Sequence, residues 1–477
     1  MLGDIIKKEI LDNLLSHKFL FIFIMCSVLI LLSIYIGAVD YVESKKEYDA
    51  NMASLGESMQ PPATYAFFYE RLGFRIYRPP RILRTVVAGV EDAAGRVSYP
   101  NQLYENNLTE SKHETNTIFT LFDSLDLMFA VKFILSLCAL FLAYDVVSGE
   151  KEKGALKLAL SNSVSRNRLI SGKIIGNYVS MFLLFLLPFL MGLVLLSVFP
   201  GISLNNTDWM RLLFIFIMFI LYISVFFALG IFVSAMTARS STSFLILLFL
   251  WIALVIVVPG AAVVVAEKVR PVQSSSLLVT EKAMFWELAI QESTTELNKK
   301  MTEFSARVQA LRQGDPDRFK AEQAKLQEEQ MKMISNRSQE IDDRVTAYNI
   351  QADRNNQLQK DIQKNLAKNL SRISPASALT FGSMTLAGTG TDEYDRFLAA
   401  TRAYRPTYRE WLNSNAGMSS GRPIEANISS IMPQFQYEPE RLGESLNRTL
   451  TDFALMAAMT ILLLAGAYFA FLRYDVR

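Results

Sequence analysis

The sequence predicts a mainly α-helical, six-span polytopic membrane protein with an extracytoplasmic α+β lobe and a long antiparallel helical hairpin. Three observations carry that reading. Hydrophobic residues make up 51% of the 477 positions and yet 20% are charged, so the two kinds must be segregated along the chain. Six apolar stretches, at about 18–39, 125–147, 176–199, 210–235, 243–266 and 452–472, each reach the ~20 residues a helix needs to cross a hydrocarbon core. Between the fifth and the sixth, the run that follows Pro316 continues to Ile373 without a Gly or a Pro.

Taken in order, residues 1–17 set Leu2, Ile5, Ile6, Ile10, Leu11, Leu14 and Leu15 against Lys7, Lys8, Glu9, Asp12 and Asn13. That is a helical period with a broad apolar face, expected of an amphipathic helix lying in the membrane interface. A cytosolic extension of span 1 is the alternative. Span 1 has an apolar run longer than a signal peptide's, with no small-x-small site before Val39-Asp40-Tyr41, and is expected to stay as an anchor. The insertion 40–124 opens with charged Glu43–Tyr48, passes through Pro61-Pro62 and Arg78-Pro79-Pro80, and has an apolar stretch Ile82–Val90 ending at Glu91-Asp92. It reads as the α+β lobe. Span 2 holds Lys132, an intramembrane polar candidate by default, whose stem is also long enough to snorkel to the interface. Pro188 is expected to kink span 3.

The insertion 267–451 reads as a helical-hairpin domain. From about 278 to 312, Leu297, Met301, Phe304, Val308 and Leu311 recur with the alternating spacing of a coiled-coil seam. Gly314-Asp315-Pro316-Asp317 stops that helix and starts another. In the second helix Ile341, Val345, Tyr348 and Ala352 repeat the stripe, and Leu358, Ile362, Leu366 and Leu370 continue it at a four-residue step until Ser374-Pro375. Helices of about 35 and 58 residues would be ~50 and ~85 Å long, an antiparallel pair with a longer return arm. Residues 375–450, rich in Gly, Ser, Pro and Tyr, read as a compact cap or return segment, and 452–477 as span 6 with a cytosolic tail.

Basic residues in the short loops set the orientation. Segment 148–175 carries Lys151, Lys153, Lys157, Arg166, Arg168 and Lys173, whereas Gly201–Trp209 carries none. Arg239 sits in the turn between spans 4 and 5, Lys7, Lys8 and Lys18 at the N-terminus, and Arg473 and Arg477 at the C-terminus. Both termini are therefore expected in the cytosol and both large insertions outside.

Several chemistries are excluded by counting. Net charge is +2, from 48 basic and 46 acidic residues, which leaves no electrostatic footprint for nucleic acid. The two cysteines, Cys26 and Cys138, lie in apolar runs, and the two histidines are His17 and His113. Thiolate metal clusters and His-rich zinc sites are thereby ruled out. Gly172-Lys173 lacks the glycine-rich loop of a phosphate-binding motif, and His113-Glu114 has no second histidine. Gly417–Gly421 fits a nucleophile elbow, but no histidine follows it. No catalytic, cofactor-binding or metal-binding residues are expected in this chain, and energy for work must come from a partner.

The strongest local signal is the connection 148–175 between spans 2 and 3. It runs Tyr144-Asp145-Val146-Val147-Ser148-Gly149-Glu150-Lys151-Glu152-Lys153-Gly154-Ala155-Leu156-Lys157-Leu158-Ala159-Leu160, then Ser161 to Arg166. Span 2 ends in alternating charges at Gly149, Glu150 and Glu152, and Gly154 permits a sharp redirection. Ala155–Leu160, with Leu156, reads as a short helix, and Ser165 before Arg166 as the N-cap of span 3. A short helix held between two spans and presenting charge to the cytosol is what a soluble motor would grip.

These residues resemble the signature of ABC-2-type transporter permeases, in which an acidic residue, Gly-Glu-(Lys/Arg)-Glu-x-Gly, a Leu-rich short helix and Val-Ser-Arg join these spans. Lys8-Glu9-Ile10, Ser234-Ala235-Met236, Arg239-Ser240-Ser241 and the Trp251–Pro259 stretch are similar to the same family. Ala155 stands where Thr is common and Ser163 where Pro is common. The large insertions are similar to those of a subgroup with big extracytoplasmic domains. The resemblance implies a permease subunit of exporter type in a bacterial cytoplasmic membrane. It further implies separate ABC ATPase subunits carrying ATP and Mg, a second permease identical or not, and contact with membrane lipid. An extracytoplasmic partner protein is also compatible with the hairpin. In that scheme Gly149, Glu150, Glu152, Gly154, Leu156, Ser165 and Arg166, together with residues 2–17, couple the ATPase to the spans. The competing class is a membrane scaffold or sensor for envelope assembly, although a sensor usually has one or two spans and a cytosolic output domain. An intramembrane enzyme is a third class, disfavoured by the residues it lacks.

Overall fold

A computed structural model describes residues 2–59, 74–99, 108, 126–156, 158, 165–314, 316–416 and 431–473. Much of the first insertion, including His113, lies outside the described residues, as do Gly417–Gly421 and half of the short Leu-rich helix expected at 155–160. Helix α1 (Leu2–Leu14) turns into span 1, α2 (His17–Ser58). A two-stranded antiparallel pair follows, β1 (Ile76–Tyr77) with β2 (Val97–Ser98). Span 2, α3, runs Leu127–Phe129 through a π-helical Ala130–Leu135 into Ser136–Ala143, and α4 (Ser148–Glu152) extends it. Spans 3 and 4 are α5 (Arg166–Val198) and α6 (Asn206–Met236). Span 5, α7, runs Ser240–Ile252 through a π-helical Ala253–Val257 into Val258–Val269. The hairpin helices are α8 (Ser275–Gly314) and α9 (Pro316–Ser371). Then come α10 (Pro375–Ala387), α11 (Thr391–Ala416) and span 6, α12 (Leu442–Leu472).

Six helices are long and apolar enough to cross a membrane, at the six stretches expected. Most outrun the apolar core. The 42 residues of α2 make a rod of about 63 Å, twice the ~30 Å hydrocarbon thickness, so the charged Glu43–Tyr48 is continuous with span 1. Span 4 is the hub: 67% of its apolar window is buried, against 11% for span 5 and 17% for span 6. Its Met218, Tyr222, Phe226 and Phe227 meet Ala139 and Ala143 of span 2 and Met456 of span 6 in one core. Pro259 lacks an N–H, and the π turn of span 5 lies directly before it, where the α-helical ladder cannot continue unbroken.

The return segment differs from a cap. Pro375–Ala387 is a buried helix inside the core of spans 2, 4 and 6, with Ala376, Ala378, Leu379 and Leu386 fully or almost fully enclosed. Its small residues resemble a loop in sequence, but in space they allow close approach. A Cβ on Gly382 would sit 2.4 Å from Met218 Cε. The lobe is less β-rich than α+β implies: among the described residues its sheet is a single pair of two-residue strands. Charge holds it to span 1 instead. Arg84, 1% exposed, donates to Ser44 at 3.0 Å and Asp92 at 2.8 Å and pairs with Asp40. Burial works against its charge, but Glu91, Asp92 and Asp40 outweigh that and hold Arg84 above the ordinary guanidine value.

Residues 263–367 form a separate compact unit. Its helices run antiparallel: Glu292 pairs with Arg344 at 3.1 Å, Phe285 stacks on Tyr348 at 3.8 Å, and Lys282 pairs with Asp353. Leu297, Met301, Phe304, Val308 and Leu311 are all half-buried along one face, as the heptad spacing requires. The continuation through Leu358 and Ile362 is not the seam; both are more than half exposed. A strict four-residue step falls behind the 3.5-residue coiled-coil period and winds off the contact face. Val345 and Asn356, both under 10% exposed, mark where the seam runs.

This unit should weaken in acid. Glu281 is held below the ordinary carboxylate value by the Tyr348 hydroxyl, Glu296 by Lys300 and Glu328 by Lys332. Depressed folded values contribute stability that is complete above the unfolded value of about 4.5 and lost as pH falls through the folded ones. Protease resistance of 275–371 in the full chain should be flat from neutral pH to about 5 and fall below it. Glu281→Gln should reduce that fall, and a resistance independent of pH would contradict the assignment.

Candidate coupling site at the short helix after span 2

Helix α4 is short, so its ends need outside partners. Ser234 Oγ, in span 4, accepts from Val147 N at 3.1 Å and Ser148 N at 3.0 Å, satisfying the first amides of α4. Lys151 Nζ donates to the carbonyls of Thr237, at 3.1 Å, and Ala235, at the C-terminal end of span 4, where a cation is favoured. Glu152 Oε2 accepts from Ser240 N at 3.0 Å at the N-terminus of span 5, where an anion is favoured. The turn between spans 4 and 5 is thus fastened to α4 at three points.

On its other side α4 meets span 3 and α1. Lys173 Nζ, 3% exposed as a residue, lies 2.8 Å from Glu9 Oε1 and 2.5 Å from Glu150 Oε1. Asn177 donates to Glu9 Oε2 at 3.1 Å, and Asn13 donates to Asn177 at 2.9 Å. Helix α1 reaches these groups because span 3 has no side chain in the way. A Cβ on Gly172 would be 2.6 Å from Ile5 Cγ2, and one on Gly176 would be 2.7 Å from Glu9 Cβ. Nearby, Lys18 pairs with Asp145 at 3.0 Å and lies over the rings of Tyr144 and Phe141 at 4.4 and 4.8 Å.

The residues singled out in the sequence fall into this arrangement unevenly. Glu150 and Glu152 both make bonds within the chain, one to span 3 and one to span 5. Gly149 packs against Asp145 and Ser240, whereas Gly154, exposed and at φ +73°, makes the left-handed turn that glycine tolerates. Leu156 is fully buried with Val147, Ile170, Ala235 and Phe471. Ser165 stands at the N-cap of span 3, but its hydroxyl makes no capping bond there. Arg166 Nη1 donates to Leu472 O at 3.1 Å, at the end of span 6. Lys132 is not part of the cluster. Its carbonyl accepts from the Tyr222 hydroxyl at 2.7 Å and its ammonium lies 5.0 Å from the Phe133 ring centre.

Lys173 is the member that sequence reasoning passed over, as a loop charge beside a glycine. The available signal was the small-residue spacing Gly172, Gly176, Ser180, which marks a close helix–helix contact. Among the described residues no group of three His, Cys, Asp or Glu is arranged to hold a metal ion. What the cluster can do is mechanical: a push on α1 or α4 reaches spans 3, 4, 5 and 6 through short polar bonds. Lys173→Met should leave Glu9 and Glu150 facing each other and loosen α1 by about 3–5 kcal/mol. Limited proteolysis within α1 should then be several-fold faster, and an unchanged cleavage rate would remove Lys173 from this role.

A family model described as ABC-2 family transporter protein matches residues 4–476, which takes in most of α1, all six spans and both insertions. No curated protein matches the chain. With six apolar helices and a family match over nearly the whole length, the chain belongs to the ABC-2 family of transporter proteins and is an integral membrane protein, the permease component of an ABC transporter.

Proposed function

We propose that this permease is the membrane half of an ATP-driven exporter, worked by separate ABC ATPase subunits that dock on α1 and on residues 149–165. One observation carries the reading. Lys173 ties α1 and α4 together, so a partner gripping either would move both, and α4 is in turn bonded to the ends of spans 4 and 5. Lys7, Lys8, Lys153, Gly154 and Leu158 are exposed on the same two elements and offer the contact surface. The ATP and Mg belong to the partner, consistent with a permease family. In this reading both termini lie in the cytosol, and 40–124 and 267–451 lie outside. The hairpin receives motion from spans 5 and 6, or performs work on an external partner.

Two experiments test it. Cysteines placed at Asn205 and Gln330 should react with an impermeant thiol reagent in sealed cells, while one at Lys153 should react only after permeabilisation. The reverse pattern would overturn the topology. Glu150→Lys should cut ATPase co-purification or permease-dependent ATP hydrolysis about tenfold, as should Gly154→Pro, which a left-handed φ cannot accommodate. Combining Glu150→Lys with Lys173→Glu should recover part of the loss. Full coupling in both single variants would mean that 149–165 is an ordinary loop.

A further inference from the structure

Where α2 has passed its charged run Glu43–Tyr48, one of its faces turns apolar again. Tyr48, Met52, Leu55 and Met59 recur at helical spacing and, with Gly56, line one side of a cavity of about 400 Å3. Met52 stands roughly 50 Å along the helix from Lys18 at ~1.5 Å per residue. A hydrocarbon core is ~30 Å thick, so the bilayer does not account for this apolar face.

The facing walls come from Phe74–Pro79, from Phe397 of α11 and from the irregular segment Met432–Tyr437. That segment is held in place by its neighbours. The Tyr404 hydroxyl donates to Pro433 O at 2.7 Å, and Phe435 and Tyr437 stand edge-on to the fully buried Phe397 ring, at 5.8 and 5.0 Å. Phe74 is stacked on Tyr408 at 5.1 Å. The walls are thus set before anything enters, which lowers the ordering cost of binding. On the α2 side, a Cβ built on Gly56 would find no atom outside its own stretch of helix within 4 Å, so this glycine opens space instead of admitting a neighbour.

The chemistry of the wall selects the ligand. Among the described residues that line it, Arg75 carries the one charge, and its guanidinium is already engaged. It lies 5.7 Å from the centre of the Tyr99 ring and donates to the Tyr77 hydroxyl at 3.5 Å. No carboxylate is among those residues, so the cavity calls for neither an anion nor a cation. Ring faces and edges remain, with the thioethers of Met52, Met59 and Met432. Aromatic rings gain from offset or edge-on aromatic neighbours, and thioether sulfur gains from contact with a ring. An alkyl chain offers neither.

We propose that this cavity is a binding site for an uncharged aromatic small molecule, seated between the outer face of α2 and the ring cluster of Phe397, Phe435 and Tyr437. Its volume lies within the range of small-molecule sites, which are concave and mostly apolar. The site is complete without an ATPase, so it stands or falls apart from the coupling reading.

Benzophenone, an uncharged aromatic that attaches to nearby C–H bonds on irradiation, is the probe, applied to the full-length chain in dodecyl maltoside. Labelled peptides are mapped by mass spectrometry. Labelling at Met59 and Met432 should saturate with benzophenone concentration, whereas labelling of the apolar spans, open to the micelle, should keep rising. Excess biphenyl should cut the saturable labelling about tenfold, and dodecane should not. Gly56→Phe, which fills the open space, should cut it about as much. Met52→Glu, at a position 41% exposed, sets a charge where an apolar ring must sit and should weaken it several-fold; should Gly56→Phe fail to fold, Met52→Glu decides alone. Equal competition by dodecane, labelling that does not saturate, or undiminished labelling in the folded variants would overturn the proposal.

Discussion

The ammonium of Lys173 sits between the carboxylates of Glu9 and Glu150, and three pieces of chain distant in sequence meet on it. Burying those charges carries a desolvation cost that only close geometry and further hydrogen bonds offset. Asn177 and Asn13 supply those bonds, and Gly172 and Gly176 supply the geometry by letting α1 lie directly on span 3. The rest of the coupling region builds outward from this point. Helix α4 is fixed by Glu150 on one side, so Lys151 and Glu152 are aimed at the ends of spans 4 and 5 on the other. Both contacts use helix-end backbone groups, the carbonyls at the end of span 4 and the first amide of span 5.

The six spans were legible because hydropathy depends on composition alone, and a membrane demands it of every residue in a stretch. Gly154 was legible for a related reason: a left-handed turn leaves few residue choices. Other features depend on what lies across the contact. Lys173 looks like any basic loop residue until Glu9, far away in sequence, is brought beside it. Ser165 has the right residue type and backbone for a cap, but its hydroxyl goes unused there. Pro375–Ala387 has the composition of a loop, and only the crowding around Gly382 shows why small residues are needed. In the hairpin, the four-residue row from Leu358 to Leu370 leaves its first two members, Leu358 and Ile362, more than half exposed, while Leu366 and Leu370 are half-buried. The true seam passes through a polar position, Asn356, which a hydrophobicity pattern does not register.

That polar seam has its own logic. A two-helix arm with a uniformly apolar stripe can slide by a heptad with little loss. Lys282 with Asp353, and Arg337 donating to Ser293 at 3.0 Å, can be satisfied in only one alignment. The arm therefore gives up some apolar contact for a fixed register, which is what a long rod needs if displacement at one end is to arrive at the other.

The π turn in span 5 has a consequence of a different kind. Such a turn holds one residue more than the α-helix around it, so span 5 carries a stored unit of helical phase just before Pro259. Annealing it into regular helix would rotate everything beyond by about 100°, a screw motion instead of a tilt. The hydroxyl of Ser374 bonds the carbonyl of Leu254 inside that turn, while Arg372, two residues earlier, grips Asp452 of span 6 with two hydrogen bonds, at 2.7 and 3.2 Å. The segment 372–374 is thus bonded both to the π turn of span 5 and to Asp452 of span 6.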